Sequence, residues 1–169
     1  MITNESRAYD EAALKRRAER AEQAVADLSE QHTALAGEVV AAYRARVEDL
    51  GWDVFEAARR TVAEFGGRSL RRPEVEQHAP ITHADLDAAD GQVKPLLVRV
   101  VAAERAREEL VKRPEVTVHD VIGLFEEYQR RHNYEPDHAA SAAVTEVSEG
   151  CAAYVETFLG ELELREGSR

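Results

Sequence analysis

The stretch from Leu14 to Ala42, LKRRAERAEQAVADLSEQHTALAGEVVAA, decides the fold. Its seam positions are Leu14, Ala18, Ala21, Val25, Leu28, His32, Leu35, Val39 and Ala42, alternately four and three residues apart. That is a seven-residue repeat held for about four heptads, the a/d seam of a coiled coil or of a long bundle helix. Beyond Ala42 the stripe slips by one residue to Tyr43, Val47, Leu50 and Val54. A straight helix of about 3.6 residues per turn drifts this way against a strict heptad. No proline precedes Pro73, and Gly37 is the only interior breaker before Gly51. One helix from about residue 8 to about 50 would be roughly 64 Å long, whereas a compact chain of this size is about 40 Å across. Such a helix must break, with Gly37 as the candidate point, or project from an elongated chain, or be covered by a second chain. The last choice makes the seam a self-association interface and the protein a homo-oligomer, with a dimer favoured.

Working outward, each flanking segment carries its own start or stop signals. Asp53 with Glu56 has the form of a capping box, and Val54, Phe55, Ala58, Val62 and Phe65 read as a short amphipathic helix halted at Gly66-Gly67. Residues 67–81, GRSLRRPEVEQHAPI, carry two prolines and no periodicity, which predicts a long connecting loop. Thr82 with Asp85 caps a short helix ending before Gly91. Pro95 suits the first turn of the next helix, whose apolar face is Leu96, Leu97, Val100, Val101 and Leu110. Pro114 is expected to end it, and Thr117 with Asp120 to cap another helix lined by Val118, Val121, Ile122, Phe125 and Tyr128, with Asn133 at its end. Pro136 opens the last helix, whose stripe runs from Ala140 to Leu162, and residues 1–4 and 165–169 are expected to fray. The organisation is therefore residues 1–66 as long helix plus short helix, 67–81 as loop, and 82–165 as a helical bundle.

Composition agrees with an all-α fold. Alanine fills 28 of 169 positions, while Gly and Pro together fill only 14. The start of the chain lacks an apolar core behind basic residues, no run is long enough to cross a bilayer, and Cys151 is the lone cysteine. These features predict a cytoplasmic protein with no membrane partner. The net charge of −11 is uneven: residues 1–72 hold 12 basic and 13 acidic side chains, residues 73–169 hold 10 and 20. The acidic half repels phosphate backbones, which argues against a nucleic-acid partner. An anionic partner would have to meet Lys15, Arg16, Arg17, Arg20, Arg68, Arg71 and Arg72.

Val118-His119-Asp120-Val121-Ile122-Gly123 resembles the His-Asp doublet followed by Ile-Gly of the helical HD phosphohydrolases, with the glycine one place late. The resemblance implies a metal held by His119 and Asp120, with His78 or His83 and Asp137 as outer ligands. Asp120 has a rival explanation as the cap partner of Thr117. Glu135-x-x-His138 matches half of a ferritin-like di-iron motif but contains Pro136 at a helix start. His78, His83, Asp85, Asp87 and Asp90 lack metal-site spacing, Glu146 and Glu149 share one helix face, and Cys151 lies on an apolar stripe. No Gly-rich phosphate loop occurs, so no cofactor and no metal is expected. The reading is a non-catalytic helical interaction or scaffold protein, able to take a protein partner, that self-associates through its first helix. The alternatives are a metal-dependent HD-type phosphohydrolase and a nucleic-acid-associated oligomer using the N-terminal arginines.

Overall fold

The computed structural model describes residues 9–167, all of whose regular structure is helical. Helix α1 runs from Glu11 to Arg44 and continues through a π-helical turn, Ala45–Asp49. Six helices follow: α2 Val54–Phe65, α3 His83–Ala88, α4 Val93–Lys112, α5 Pro114–Arg130, α6 Pro136–Ala152 and α7 Tyr154–Gly167. The expected frayed residues 1–4, 168 and 169 lie outside the described residues, while 165–167 are helical.

Helix α1 does not break at Gly37. A Cβ at Gly37 would meet nothing within 4 Å, so the glycine is not needed for a close approach. Its cost of about 1 kcal/mol is small beside the apolar burial on either side. The helix loosens only at the π turn, after which Gly51 takes a positive φ of 67°. Asp53 then caps α2 by accepting from the Phe55 and Glu56 amides. The Thr82–Asp85 capping box is complete, with both reciprocal bonds made.

Helix α1 is covered along its length by the chain itself. One core gathers Val25, Leu28, Leu35, Val39 and Tyr43 of α1 with Phe65 of α2, Leu110 of α4, Val118, Val121 and Phe125 of α5, and Val147 and Cys151 of α6. A second core, nearer the start of α1, joins Leu14 to Leu86 of α3, Leu97 and Ala102 of α4, and Leu162 of α7. Both cores thus draw on residues before and after the connecting loop. The seam from Leu14 to Val39 is buried, and Ala42 is half-buried, without a second chain. Helices α4, α5 and α6 pack directly on α1, and α7 packs on α4 and joins Leu14 in the second core through Leu162.

Three local expectations are corrected. Thr117 is not a cap: α5 begins three residues earlier, with Pro114 at N1, so Thr117 lies in its first turn and faces the core. Phe55 is not on the buried stripe of α2. The inward residues are Ala57, Thr61 and Phe65, and Phe55 is 82% exposed on the opposite side. The last helix divides at Ala153, because α6 packs on α1 and α5 whereas α7 must turn away to pack on α4.

Candidate functional site

Three places carry more chemistry than the packing requires. The first is a cleft of about 620 Å³ over α5 and α6, lined among others by His119, Asp120, Glu127, Glu146, Cys151 and Tyr154. Because Thr117 faces inward, Asp120 is released from the capping role and lies exposed beside His119. The outer ligands suggested by the HD resemblance are engaged on other elements. Asp137 pairs with Arg44 at 2.9 Å, the His83 ring lies 2.5 Å from the Arg165 guanidinium, and His78 stands 3.7 Å from Glu76. Among the described residues no group of three or more His, Cys, Asp or Glu side chains converges to hold a metal ion. Glu146 accepts from the Tyr128 hydroxyl. The Cys151 thiol is pushed up to about 11, first by burial and then by the charge of Asp120, which suppresses the thiolate that a nucleophile requires.

Beneath this cleft His32 occupies its seam position at zero exposure. Its Nε2 lies 2.7 Å from the Leu110 carbonyl and its Nδ1 2.7 Å from the Thr117 hydroxyl. A carbonyl only accepts, so Nε2 carries a proton, and in the neutral ring that burial favours Nδ1 accepts from Thr117. Leu110 belongs to the last turn of α4, where carbonyls lack helical partners. His32 therefore fastens the end of α4 and the start of α5 to α1. Burial lowers its pKa, and the bond to Leu110 opposes that shift. His138, from the di-iron half-motif, stacks on Tyr134 with centroids 4.2 Å apart, and Glu135 serves as the N-cap residue of α6.

The second place is the strap formed by residues 67–81. Gln31 of α1 clasps it by donating to the Arg71 carbonyl at 3.0 Å and accepting from the Arg71 amide at 2.7 Å. Arg17 grips Glu104 through two bonds, at 2.7 and 3.0 Å, and donates to the Ala79 carbonyl at 3.3 Å. Arg20 pairs with Glu76 at 2.6 Å. A cleft of about 610 Å³ opens between strap, α1 and α4, and a smaller one of about 300 Å³ lies on the α4 side. Pro73, Val75 and Arg107 belong to both. Sequence reasoning missed Arg107; its only signal was its position beside Ala103 and Ala106 on the buried stripe of α4.

The third place follows the far end of α1, where Leu50 after the π turn is 65% exposed and Phe55 of α2 is 82% exposed. The sequence-predicted seam residues Leu14, Ala18, Ala21, Val25, Leu28, Leu35 and Val39 are instead packed inside the chain with His32. Arg16, Arg17 and Arg20 lie on α1, whereas Arg68, Arg71 and Arg72 lie on the strap; Arg17 and Arg20 are engaged by carboxylates, and Arg68 pairs with Glu38. No described helix is long and apolar enough to cross a membrane. No protein-family model matches the chain, and no curated protein or solved structure matches it either.

Proposed function

We propose that the chain is a non-catalytic helical interaction protein that self-associates at the far end of its first helix. The observation that carries this reading is the exposure of two large apolar side chains five positions apart where the π turn gives way to α2, Leu50 at 65% and Phe55 at 82%. Large side chains left outside two well-filled cores favour a protein contact. The occupant is a second copy. The patch belongs to the half of the chain with 12 basic and 13 acidic residues, so two copies can meet there without the repulsion of the acidic half. Asp49, Asp53 and Glu56 flank it together with Arg59 and Arg60, a mixture that is self-complementary about a two-fold axis. Two Leu and two Phe side chains bury only about 400–600 Å² in total, below the roughly 1,200 Å² of a stable interface, so the contact is weak and concentration-dependent.

The seam itself is occupied by α4, α5 and α6, so this reading moves the contact from the seam to the helix end. The HD-type alternative rests on His119 and Asp120 alone, and the nucleic-acid alternative on N-terminal arginines that are partly paired. Sedimentation velocity from about 5 to about 200 µM tests the proposal. The wild type should pass from monomer to dimer, and Leu50→Ser with Phe55→Ser should remain monomeric. A wild type that stays monomeric throughout, or a dimer that survives both substitutions, overturns it.

A further inference from the structure

Residues 73–169 hold twice as many acidic as basic side chains, 20 against 10. In such surroundings a cation should find a carboxylate, and most do: Lys94, Arg99, Arg105, Arg113, Arg130 and Arg131 are all ion-paired. Arg107 and Lys112 of α4 are exceptions, with no ion pair or hydrogen bond among the described residues, and Arg72, at the end of the charge-balanced first half, has no ion pair among them either. These three cations line the same 300 Å³ cleft, where Glu108 is the single acidic side chain. The Nη1 of Arg107 is shielded from solvent and has no hydrogen-bond partner among the described residues. A buried, unpaired guanidinium nitrogen is costly, and retaining one calls for an acceptor.

We propose that the cleft between the strap and α4 binds a small phosphoryl-bearing anion through Arg72, Arg107 and Lys112. Arg107 supplies the planar fork that matches phosphoryl oxygens, and Lys112 supplies a mobile point charge. Pro73, Val75 and Val111 form an apolar wall for the uncharged part of such a molecule. Arg72 comes from the strap and the other two from α4, so the anion would tie the strap to the helix in addition to the Gln31 clasp.

The test follows thermal unfolding of the full chain with pyrophosphate at constant ionic strength, with citrate as a carboxylate control. Pyrophosphate at about ten times its Kd should raise Tm by about 3 to 6 °C in saturable fashion. Arg107→Gln should abolish the rise and Lys112→Gln should weaken apparent affinity about tenfold or more. Lys112 is exposed, so its variant remains informative if loss of Arg107 unfolds the protein. No rise beyond that of matched chloride, or a rise retained in Lys112→Gln, overturns the site. Citrate acting as strongly as pyrophosphate overturns the phosphoryl assignment.

Discussion

Replacing His32 by Leu should change how stability depends on pH, and the sign follows from the burial. His32 is the only buried one of the six histidines, and burial favours its neutral ring, which donates to the Leu110 carbonyl and accepts from the Thr117 hydroxyl. Its folded pKa lies below the ordinary 6.5. The unfolded chain therefore binds a proton that the folded chain refuses once pH drops under 6.5, and stability falls with acidification. The contribution is fully present above 6.5 and is lost progressively down to the lowered folded pKa, where the loss levels off. The slope in that window approaches 1.4 kcal/mol per pH unit at most, so moving from about pH 7.5 to about pH 5.5 removes up to about 1.4 kcal/mol through this group. Leucine has no proton to take up, so His32→Leu should lack this component. It should also be less stable by about 2–4 kcal/mol near neutrality, because the Leu110 carbonyl and Thr117 hydroxyl stay buried without a partner. Urea unfolding of both proteins at the two pH values measures the difference directly. If wild type and variant lose the same stability on acidification, His32 is not held neutral in the core and the reasoning fails.

The seam offers a second test. Leu28→Asp with Leu35→Asp should unfold the chain, because both sites are interior, at 0% and 4% exposure, and a buried carboxylate at either costs several kcal/mol. A folded monomer with native circular dichroism would show that the seam is accessible. Cys151, with its thiol pushed up to about 11, should have about one molecule in a thousand as thiolate near pH 8 and alkylate with iodoacetamide only when the chain unfolds. Rapid labelling of the native protein, followed by mass spectrometry, would refute that.

Much of the local architecture is legible in the residues themselves. The heptad spacing of Leu14 to Ala42 marks a long helix with one buried side, and nothing within it is strong enough to interrupt the 34 residues of α1. Thr82 with Asp85, Asp53 ahead of α2, and Pro136 at the start of α6 all act where their chemistry places them. Local signals misled where two explanations shared one residue. Thr117 has the side chain of a cap, but Pro114 is an equally good first residue, and a bond to a histidine 85 positions earlier decides between them. Phe55 fits an apolar stripe by type, yet the polar Thr61 takes the inward place because its hydroxyl donates to the Ala57 carbonyl and accepts from Arg46.

The sequence by itself determined which segments are helical, though not all their ends, and which side of α1 avoids water, because periodicity and capping act over a few neighbouring residues. It did not determine what covers that side. A second chain and the chain's own α4 to α6 present the same kind of apolar surface to Leu28 and Leu35, and hydrophobic burial is non-directional. Only the tertiary structure chose between them, since the choice depends on the turns at Ala45–Asp49 and Ala153 and on long-range fasteners such as His32, Gln31 and Arg17. The same holds for the candidate sites. Arg72, Arg107 and Lys112 are separated by up to 40 positions, and meet only because the strap is clasped across α1 against α4. Leu50 and Phe55 are left exposed only because the two cores are completed without them.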